Sequence, residues 1–238
     1  MNINEGLYFL LSHLLEPIFP RHISTLSTQN KQYIVYNREQ ALAGFNQASL
    51  LDCKIRAYPV YIEWYGINRY PPNLILIDLD LSRFGSKEEL DKALNRTLQN
   101  IKEKLNAYPT VIWSGHGYHI YLPLDSFILE DENEFAKFEQ PSRKFIQFAE
   151  SYLTNNKADP CHSYTMSFKN CMLRVPGSFN SKSGKDEVKI IQKWNGVRPS
   201  IKPLLFSFYL YLQDLKLKKI KQHYHPPRQW CQYVRVQQ

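Results

Sequence analysis

Cysteine is scarce in this chain, and its spacing is wrong for two classes of small protein. Only 4 of the 238 residues are Cys, and no two of them form a CxxC pair. Disulfide scaffolds and zinc ribbons need denser, paired cysteines, so both classes are poor fits. With 43% hydrophobic and 22% charged residues, wholesale disorder, collagen and coiled coil fit no better. The composition predicts a chain that folds around its own core in a reducing cytoplasm.

A segment that would direct the chain into a membrane is also lacking. The most apolar early run, residues 6–15, lies between Glu5 and Glu16 without a basic region before it or a small-residue cleavage site after it. Signal peptides carry both features, and a membrane span needs about 20 apolar residues. The run instead predicts a packed helix over residues 4–18, and we expect no membrane partner.

Internal repeats, low-complexity tracts and a P-loop are absent from the sequence as well. The P-loop is the backbone cradle that holds nucleotide phosphates in a large class of NTPases. Any helicase that works with this protein is therefore expected to be a separate polypeptide or a portion of the protein outside this sequence.

Basic charge is plentiful, and it is concentrated at the C-terminal end. Residues 182–238 hold 12 Lys or Arg against 3 Asp or Glu, whereas residues 1–181 hold 18 against 19. Such a basic end can neutralise a polyanion such as nucleic acid, but a solvated surface helix has the same composition. Charge alone leaves both interpretations open.

The order of predicted elements favours an α+β fold. Helices are predicted at residues 4–18, 38–51, 87–106, 132–153 and 202–222. Strands are predicted at residues 31–36, 54–64, 73–81, 110–114, 118–124, 165–168, 172–175 and 188–194. Hairpins outnumber strand–helix–strand units, which favours a largely antiparallel or mixed sheet. Pro59 is expected to place its strand at an edge or a bulge.

Two carboxylates end the clearest strand, NLILIDLDL. Asp78 and Asp80 are two residues apart, so their side chains project from the same face and repel each other. A divalent cation would relieve that repulsion, and Mg²⁺ favours one or two carboxylates with water and substrate phosphates. The alternative is an ordinary strand end that faces solvent.

Two further stretches carry groups that suit phosphate. In SGHGYHIY, residues 114–121, the small residues let backbone amides approach an anion, and the two histidines can donate to phosphate oxygens. Downstream, Asp159 is followed by MLRVPGSFNSKSGK, which places Arg174, Asn180 and Lys182 around a turn. The alternatives are a core histidine at His119, a turn at Asp159 and a basic surface hairpin.

Together IDLD, SGHGYHIY and the stretch from Asp159 to Lys182 resemble the catalytic core of the archaeo-eukaryotic primase superfamily. The resemblance covers about residues 54–195, and RVPGSFNSK is similar to the primase-polymerase type found on archaeal plasmids and viruses. It implies an RRM-like sheet flanked by helices, with residues 1–200 as the catalytic domain and 201–238 as a basic helical appendage. It also implies a nucleotidyltransferase that makes or extends primers on single-stranded DNA.

Residue by residue, the resemblance implies a catalytic group and a nucleotide-binding group. The ligands of two Mg²⁺ or Mn²⁺ ions would be Asp78, Asp80 and Asp159, and His119 would join them in catalysis. The triphosphate of an incoming NTP or dNTP would be bound by Ser114, Gly115, His116, Gly117, His119, Arg174 and Lys182. His116 stands where many relatives have Arg. Some relatives carry a zinc site, but Cys161, His162 and Cys171 are irregularly spaced and no fourth ligand is assigned, so a zinc site is not expected.

Two alternatives come from other classes of protein. A replication initiator nuclease of the HUH type needs two His separated by one residue and a nucleophilic Tyr, whereas this chain has HGYH. A non-catalytic module would bind single-stranded nucleic acid by stacking bases on its aromatic residues. That module leaves the three carboxylates without a role, because carboxylates repel phosphate unless a metal lies between them.

Overall fold

The computed structural model describes residues 1–14, 17–60, 72–125, 141–159, 170–182 and 186–223. The chain divides into two compact units, Met1–Ile201 and Lys202–Gln238. In the described residues, the second unit consists of one helix, and the first contains every strand. No helix in the described ranges is long and apolar enough to span a membrane.

The described residues form five α-helices and ten strands, numbered in chain order. The helices are α1 (Ile3–Leu11), α2 (Arg38–Gln47), α3 (Lys87–Leu105), α4 (Pro141–Thr154) and α5 (Lys202–His223). The first strands are β1 (Arg21–Ser24), β2 (Tyr33–Val35), β3 (Lys54–Arg56), β4 (Leu74–Asp80) and β5 (Thr110–Trp113). The remaining strands are β6 (Gly117–Pro123), β7 (Met172–Arg174), β8 (Phe179–Asn180), β9 (Asp186–Glu187) and β10 (Lys189–Gln192).

The strands form two four-stranded antiparallel sheets and one small hairpin. The first sheet has the order β2-β1-β3-β7, the second has the order β10-β5-β6-β4, and β8 pairs with β9. A hydrophobic core contains residues of both larger sheets, such as Ile23 and Ile55 of the first and Leu76 and Tyr121 of the second. The α+β class with flanking helices is therefore confirmed, although the sequence pattern predicted one sheet where the described residues form two four-stranded sheets and a two-stranded one.

Local sequence explains where several elements begin and end. Asn2 and Glu5 form a reciprocal capping box that starts α1, and Ser12 caps its other end, so this helix stops well short of the predicted residue 18. Ser86 caps α3 as predicted. The hairpin predicted over residues 110–124 is confirmed by the pairing of β5 with β6.

Two expectations about the first sheet were wrong. Strand β3 ends at Arg56, before Pro59, and lies between β1 and β7 rather than at an edge. The proline is therefore outside the hydrogen-bonded ladder, where its missing N–H costs nothing. Strand β1 was not predicted, because RHIS has too few apolar residues for a strand signal. The predicted elements over residues 132–140 and 165–168 fall outside the described residues.

Candidate functional site

One face of strand β4 changes from apolar to acidic along the strand. Leu74, Leu76, Asp78 and Asp80 alternate and so share that face, and the first two are buried in the core. The side chains of the last two are 19% and 33% exposed, which leaves their oxygens accessible to a bound ion. The predicted pair of carboxylates therefore lies where the core ends and a cleft begins.

Each carboxylate lies beside a histidine at the same end of the cleft. His119 pairs directly with Asp78 in the β4–β6 ladder, and its Nε2 lies 3.7 Å from Asp78 Oδ1. His116, in the turn before β6, places its Nε2 3.7 Å from Asp80 Oδ1. The same Asp80 oxygen accepts hydrogen bonds from the backbone N–H and the hydroxyl of Ser82 at 2.8 and 2.6 Å. Both imidazoles are thus held at the acidic end of the cleft.

Asp159 comes to the open edge of β4. Its backbone N–H donates to the carbonyl oxygen of Asp78 at 2.9 Å, although 81 residues separate the two in sequence. Its side-chain Oδ1 lies 3.8 Å from Nη1 of Arg83, which also donates to the carbonyl of Ala158 at 2.9 Å. The structure therefore places the backbone of the third predicted carboxylate residue beside the first.

The donor set suits Mg²⁺ or Mn²⁺ better than zinc. In the part of the chain that the structure describes, no three His, Cys, Asp or Glu side chains are grouped closely enough to form a protein cage for an ion. Mg²⁺ does not need such a cage, because it commonly uses one or two carboxylates and completes its shell with water and substrate phosphates. Asp78 and Asp80 fit that mode of binding.

Two glycines shape the turn between β5 and β6. Gly115 has a φ of 91°, in the left-handed region that other residues rarely adopt. A Cβ on Gly117 would lie 2.3 Å from the carbonyl oxygen of Leu79, so only glycine lets β6 approach β4 this closely. Ser114 closes the turn by donating its backbone N–H to the Gly117 carbonyl at 2.8 Å. The side-chain amide of Asn180 donates to the carbonyl of Ser114 at 2.7 Å and ties the turn to β8.

The opposite wall of the cleft is basic. The first sheet aligns Ser24, Lys54 and Arg174 in one row across β1, β3 and β7. These three residues line a cleft of about 320 Å³ together with Lys182 and with Asp78, Asp80, Ser114, His116 and His119. Both sheets therefore contribute to one cleft, with carboxylates on one wall and cations on the other.

A buried carboxylate, Asp52, holds part of the basic wall in place. Its Oδ1 lies 3.0 Å from Nη1 of Arg174, and it accepts hydrogen bonds from both the backbone N–H and the hydroxyl of Ser181. Burial disfavours the charged carboxylate, but the hydrogen bonds from Ser181 and Arg174 outweigh it and lower the pKa of Asp52. Asp52 thus fixes Arg174 and the residue before Lys182 to one another.

Lys54 differs from Arg174 in its partner. Its Nζ donates to the side-chain oxygen of Asn30 at 3.2 Å, and Asn30 is neutral. Burial and, to a lesser extent, the neighbouring charges of Arg174 and Lys182 lower the pKa of Lys54 to about 8, against the raising effect of Asp52 and Asp78.

Sequence reasoning did not find Lys54, Asp52 or Asn30. A signal for Lys54 was present, because Lys54 and Arg56 flank Ile55 and so put two cations on one face of a strand. Asp52 carried no such signal, since it sits outside every predicted element. Of the three residues considered as zinc ligands, Cys161 and His162 lie outside the described residues, and Cys171 is packed in the core.

Comparison with known proteins finds likeness in structure only. No family model matches the chain, and no curated protein matches it. The crystal structure of the catalytic domain of primase RepB' in complex with initiator DNA aligns with 94% of this chain and 100% of its own, with a TM-score of 0.54 and 14% identity. A crystal structure of primase RepB' aligns with 93% of this chain and 67% of its own, with a TM-score of 0.55 and 14% identity. The chain therefore has a fold similar to that of a primase catalytic domain.

Proposed function

We propose that this protein is a template-directed nucleotidyltransferase, a DNA primase or polymerase of the archaeo-eukaryotic primase type. One observation carries the proposal: Asp78 and Asp80 face Lys54 and Arg174 across a single cleft in a primase-like fold. A ligand that suits both walls must carry a divalent cation and several phosphates. A nucleoside triphosphate with its Mg²⁺ is such a ligand. The motifs resemble those of the primase-polymerases of archaeal plasmids and viruses, and we propose this subtype for the chain.

Three carboxylates would hold the metal ions. Asp78 and Asp80 offer oxygens from one face of β4, and Asp159 is held beside Asp78 by the backbone hydrogen bond. When bound, Mg²⁺ or Mn²⁺ lowers the pKa of the attacking 3′ hydroxyl and stabilises charge on the leaving pyrophosphate. The guanidinium of Arg83 lies 3.8 Å from the Asp159 carboxylate and partly balances its charge.

The triphosphate would be held by donors from both sheets. His119 lies opposite Asp78, so its imidazole can donate to a phosphate oxygen close to the metal ligands. Arg174 offers a guanidinium whose position Asp52 fixes, and Lys182 is exposed at the mouth of the cleft. Oriented binding places the α-phosphate in line with the primer hydroxyl, which supplies much of the rate enhancement in phosphoryl transfer.

A single-stranded DNA template would be bound in part by the basic C-terminal unit. Four lysines of α5 are candidates for phosphate contacts: Lys202, Lys216, Lys218 and Lys219. Each phosphate that a lysine neutralises adds about 0.7 to the salt slope of single-strand binding. Replacing all four with Gln should therefore lower the slope of log Kd against log salt by up to about 3. An unchanged salt slope would mean that these lysines of α5 do not contact DNA phosphates.

The experiment that tests the proposal is incubation with single-stranded DNA, labelled NTPs or dNTPs, and Mg²⁺ or Mn²⁺. Reactions with an annealed primer measure extension, and reactions without one measure primer synthesis. Incorporation in either format supports the proposal. A covalent protein–DNA adduct would indicate an HUH-type nuclease, and Mg²⁺-independent DNA binding without incorporation would indicate a non-catalytic binding module.

A further inference from the structure

Lys54 is an ammonium group that has no carboxylate partner in the described residues. It is half-buried in the wall of the cleft, and its one hydrogen bond there goes to the neutral side chain of Asn30, at 3.2 Å. A lysine ammonium has three donor protons, and removing it from water is costly unless it is paired. Its position therefore lacks the anion that would make the burial favourable.

The pairing of β3 with β7 raises the free-energy cost of a charged, half-buried Lys54 further. Lys54 and Arg174 lie directly opposite each other on β3 and β7, and like charges so placed repel. Asp52 balances the charge of Arg174 at 3.0 Å but forms no ion pair with Lys54. Of the two opposed cations, one is thus neutralised inside the protein, and the other is left facing the cleft.

The groups on the far wall explain which kind of anion fits. Asp78 is near enough for its charge to raise the pKa of Lys54, yet the two side chains form no ion pair. The space between the walls belongs to the open cleft of about 320 Å³. A bare anion would be repelled by Asp78 and Asp80, whereas a phosphate that carries a divalent cation satisfies both walls.

We infer that Lys54 binds a phosphate oxygen of the nucleoside triphosphate from the sheet opposite the carboxylates. The inference rests on the proposed function and adds to it a phosphate ligand from β3. Lys54 would then contact the triphosphate from β3 while the metal ligands contact it from β4. The hydrogen bond from Lys54 to Asn30 would keep the ammonium in position. The lowered pKa of Lys54 is consistent with this role, because a bound phosphate would supply the opposite charge that favours the buried ammonium.

The test measures binding without turnover. Isothermal titration calorimetry with ATP and with dATP, in Mg²⁺ and without DNA, gives Kd for the wild-type protein, Lys54→Met and Lys54→Arg. Met keeps the length and apolar character of the side chain and removes its charge, so the fold should be retained. Lys54→Met should weaken triphosphate binding at least about tenfold, and Lys54→Arg should restore it to within about threefold of wild type. Lys92→Ala is the matched control, since Lys92 is exposed on α3 and does not line the cleft.

Adenosine and deoxyadenosine, which lack phosphates, separate a phosphate contact from a general disturbance of the cleft. Their affinities should be the same in wild type and Lys54→Met. The inference is overturned if Lys54→Met binds triphosphate as wild type does, or if it loses triphosphate and nucleoside affinity equally. A wild-type protein that binds triphosphate but never incorporates it would contradict the proposed function alone. A wild-type protein that binds no triphosphate would contradict both.

Discussion

His119 and Asp78 are cross-strand neighbours in the antiparallel pairing of β6 with β4, and their Nε2 and Oδ1 atoms lie 3.7 Å apart. Both side chains line the acidic end of the cleft. A phosphate that approaches a metal ion on Asp78 therefore meets the imidazole at the same point. One cross-strand residue pair therefore joins the predicted metal site to the predicted phosphate site.

Replacing His119 should mainly affect nucleotide binding. We expect His119→Ala to raise the apparent KM for nucleotide by about 10–100-fold, since a charge-assisted contact contributes about 1.5–3 kcal/mol. Steady-state kinetics on primed template measure KM and kcat separately. The matched variant His116→Ala should have a smaller effect, because the His116 side chain is 41% exposed and that of His119 is 13% exposed. An unchanged KM in His119→Ala would contradict its role.

Nucleotide affinity should depend on pH through Lys54. The pKa of this lysine is about 8, set first by burial and then by Arg174, while Asp52 and Asp78 oppose the decrease and Lys182 adds to it. The free protein loses the ammonium charge as pH rises through 8, so triphosphate affinity should fall above that pH. In Lys54→Arg the guanidinium stays charged, and the affinity should stay level to about pH 10. Calorimetric titrations from pH 6.5 to 10 compare the two proteins, and a parallel decline in both would contradict the assignment.

Asp52 should matter for stability as well as for the site. Asp52→Asn leaves the buried guanidinium of Arg174 without its counter-charge, which typically costs about 3–5 kcal/mol of unfolding free energy. Urea denaturation measures the difference. Glu187→Gln is the matched control, because Glu187 pairs with Lys189 at the surface, where an ion pair contributes about 0–1 kcal/mol. Equal stability losses in the two variants would mean that the buried pair contributes no more than an exposed one.

Acid should destabilise the fold through His13. This imidazole is buried, with Nδ1 2.8 Å from the carbonyl of Phe9 and Nε2 at the hydroxyl of Thr110. Burial and, to a lesser extent, the charge of Arg198 lower its pKa, although the Phe9 hydrogen bond raises it. Below pH 6.5 the unfolded chain binds a proton at this histidine that the folded chain does not bind. The unfolding free energy should therefore decrease as the pH is lowered.

The measurement for His13 is urea denaturation between pH 7.5 and pH 4.5, in wild type and in His13→Gln. The variant cannot take up the proton, so its stability should fall less over this range. The same pH dependence in both proteins would assign the acid sensitivity to other groups.

Much of the second sheet could be predicted from sequence because its signals are local. The apolar run before Asp78 marks a buried strand, alternation places Asp80 on the same face, and a capping residue at Ser86 starts the next helix. The turn at Gly115 separates two strands that pair with each other. Each of these inferences needs only neighbouring residues.

The first sheet and the basic wall could not be predicted in the same way. Strands β1, β3 and β7 are three or four residues long, and they come together only through pairing between distant segments. The row that contains Lys54 and Arg174 joins residues 120 positions apart, and Asp52 reaches Arg174 across a similar separation. Contacts between residues so far apart in the chain produce no periodic pattern in the sequence from which they could be predicted.

The most direct test of the account is the rate of Mg²⁺-dependent nucleotide incorporation on primed single-stranded DNA by Asp78→Asn and Asp80→Asn. Loss of a metal ligand removes several kcal/mol of transition-state stabilisation, so each rate should fall at least about 100-fold. Asp91→Asn is the control, because Asp91 bonds to Lys87 and Tyr118 on α3 and β6 and does not line the cleft. We predict that Asp91→Asn incorporates nucleotide at the wild-type rate. Near-wild-type incorporation by a folded Asp78→Asn or Asp80→Asn protein would contradict the central claim.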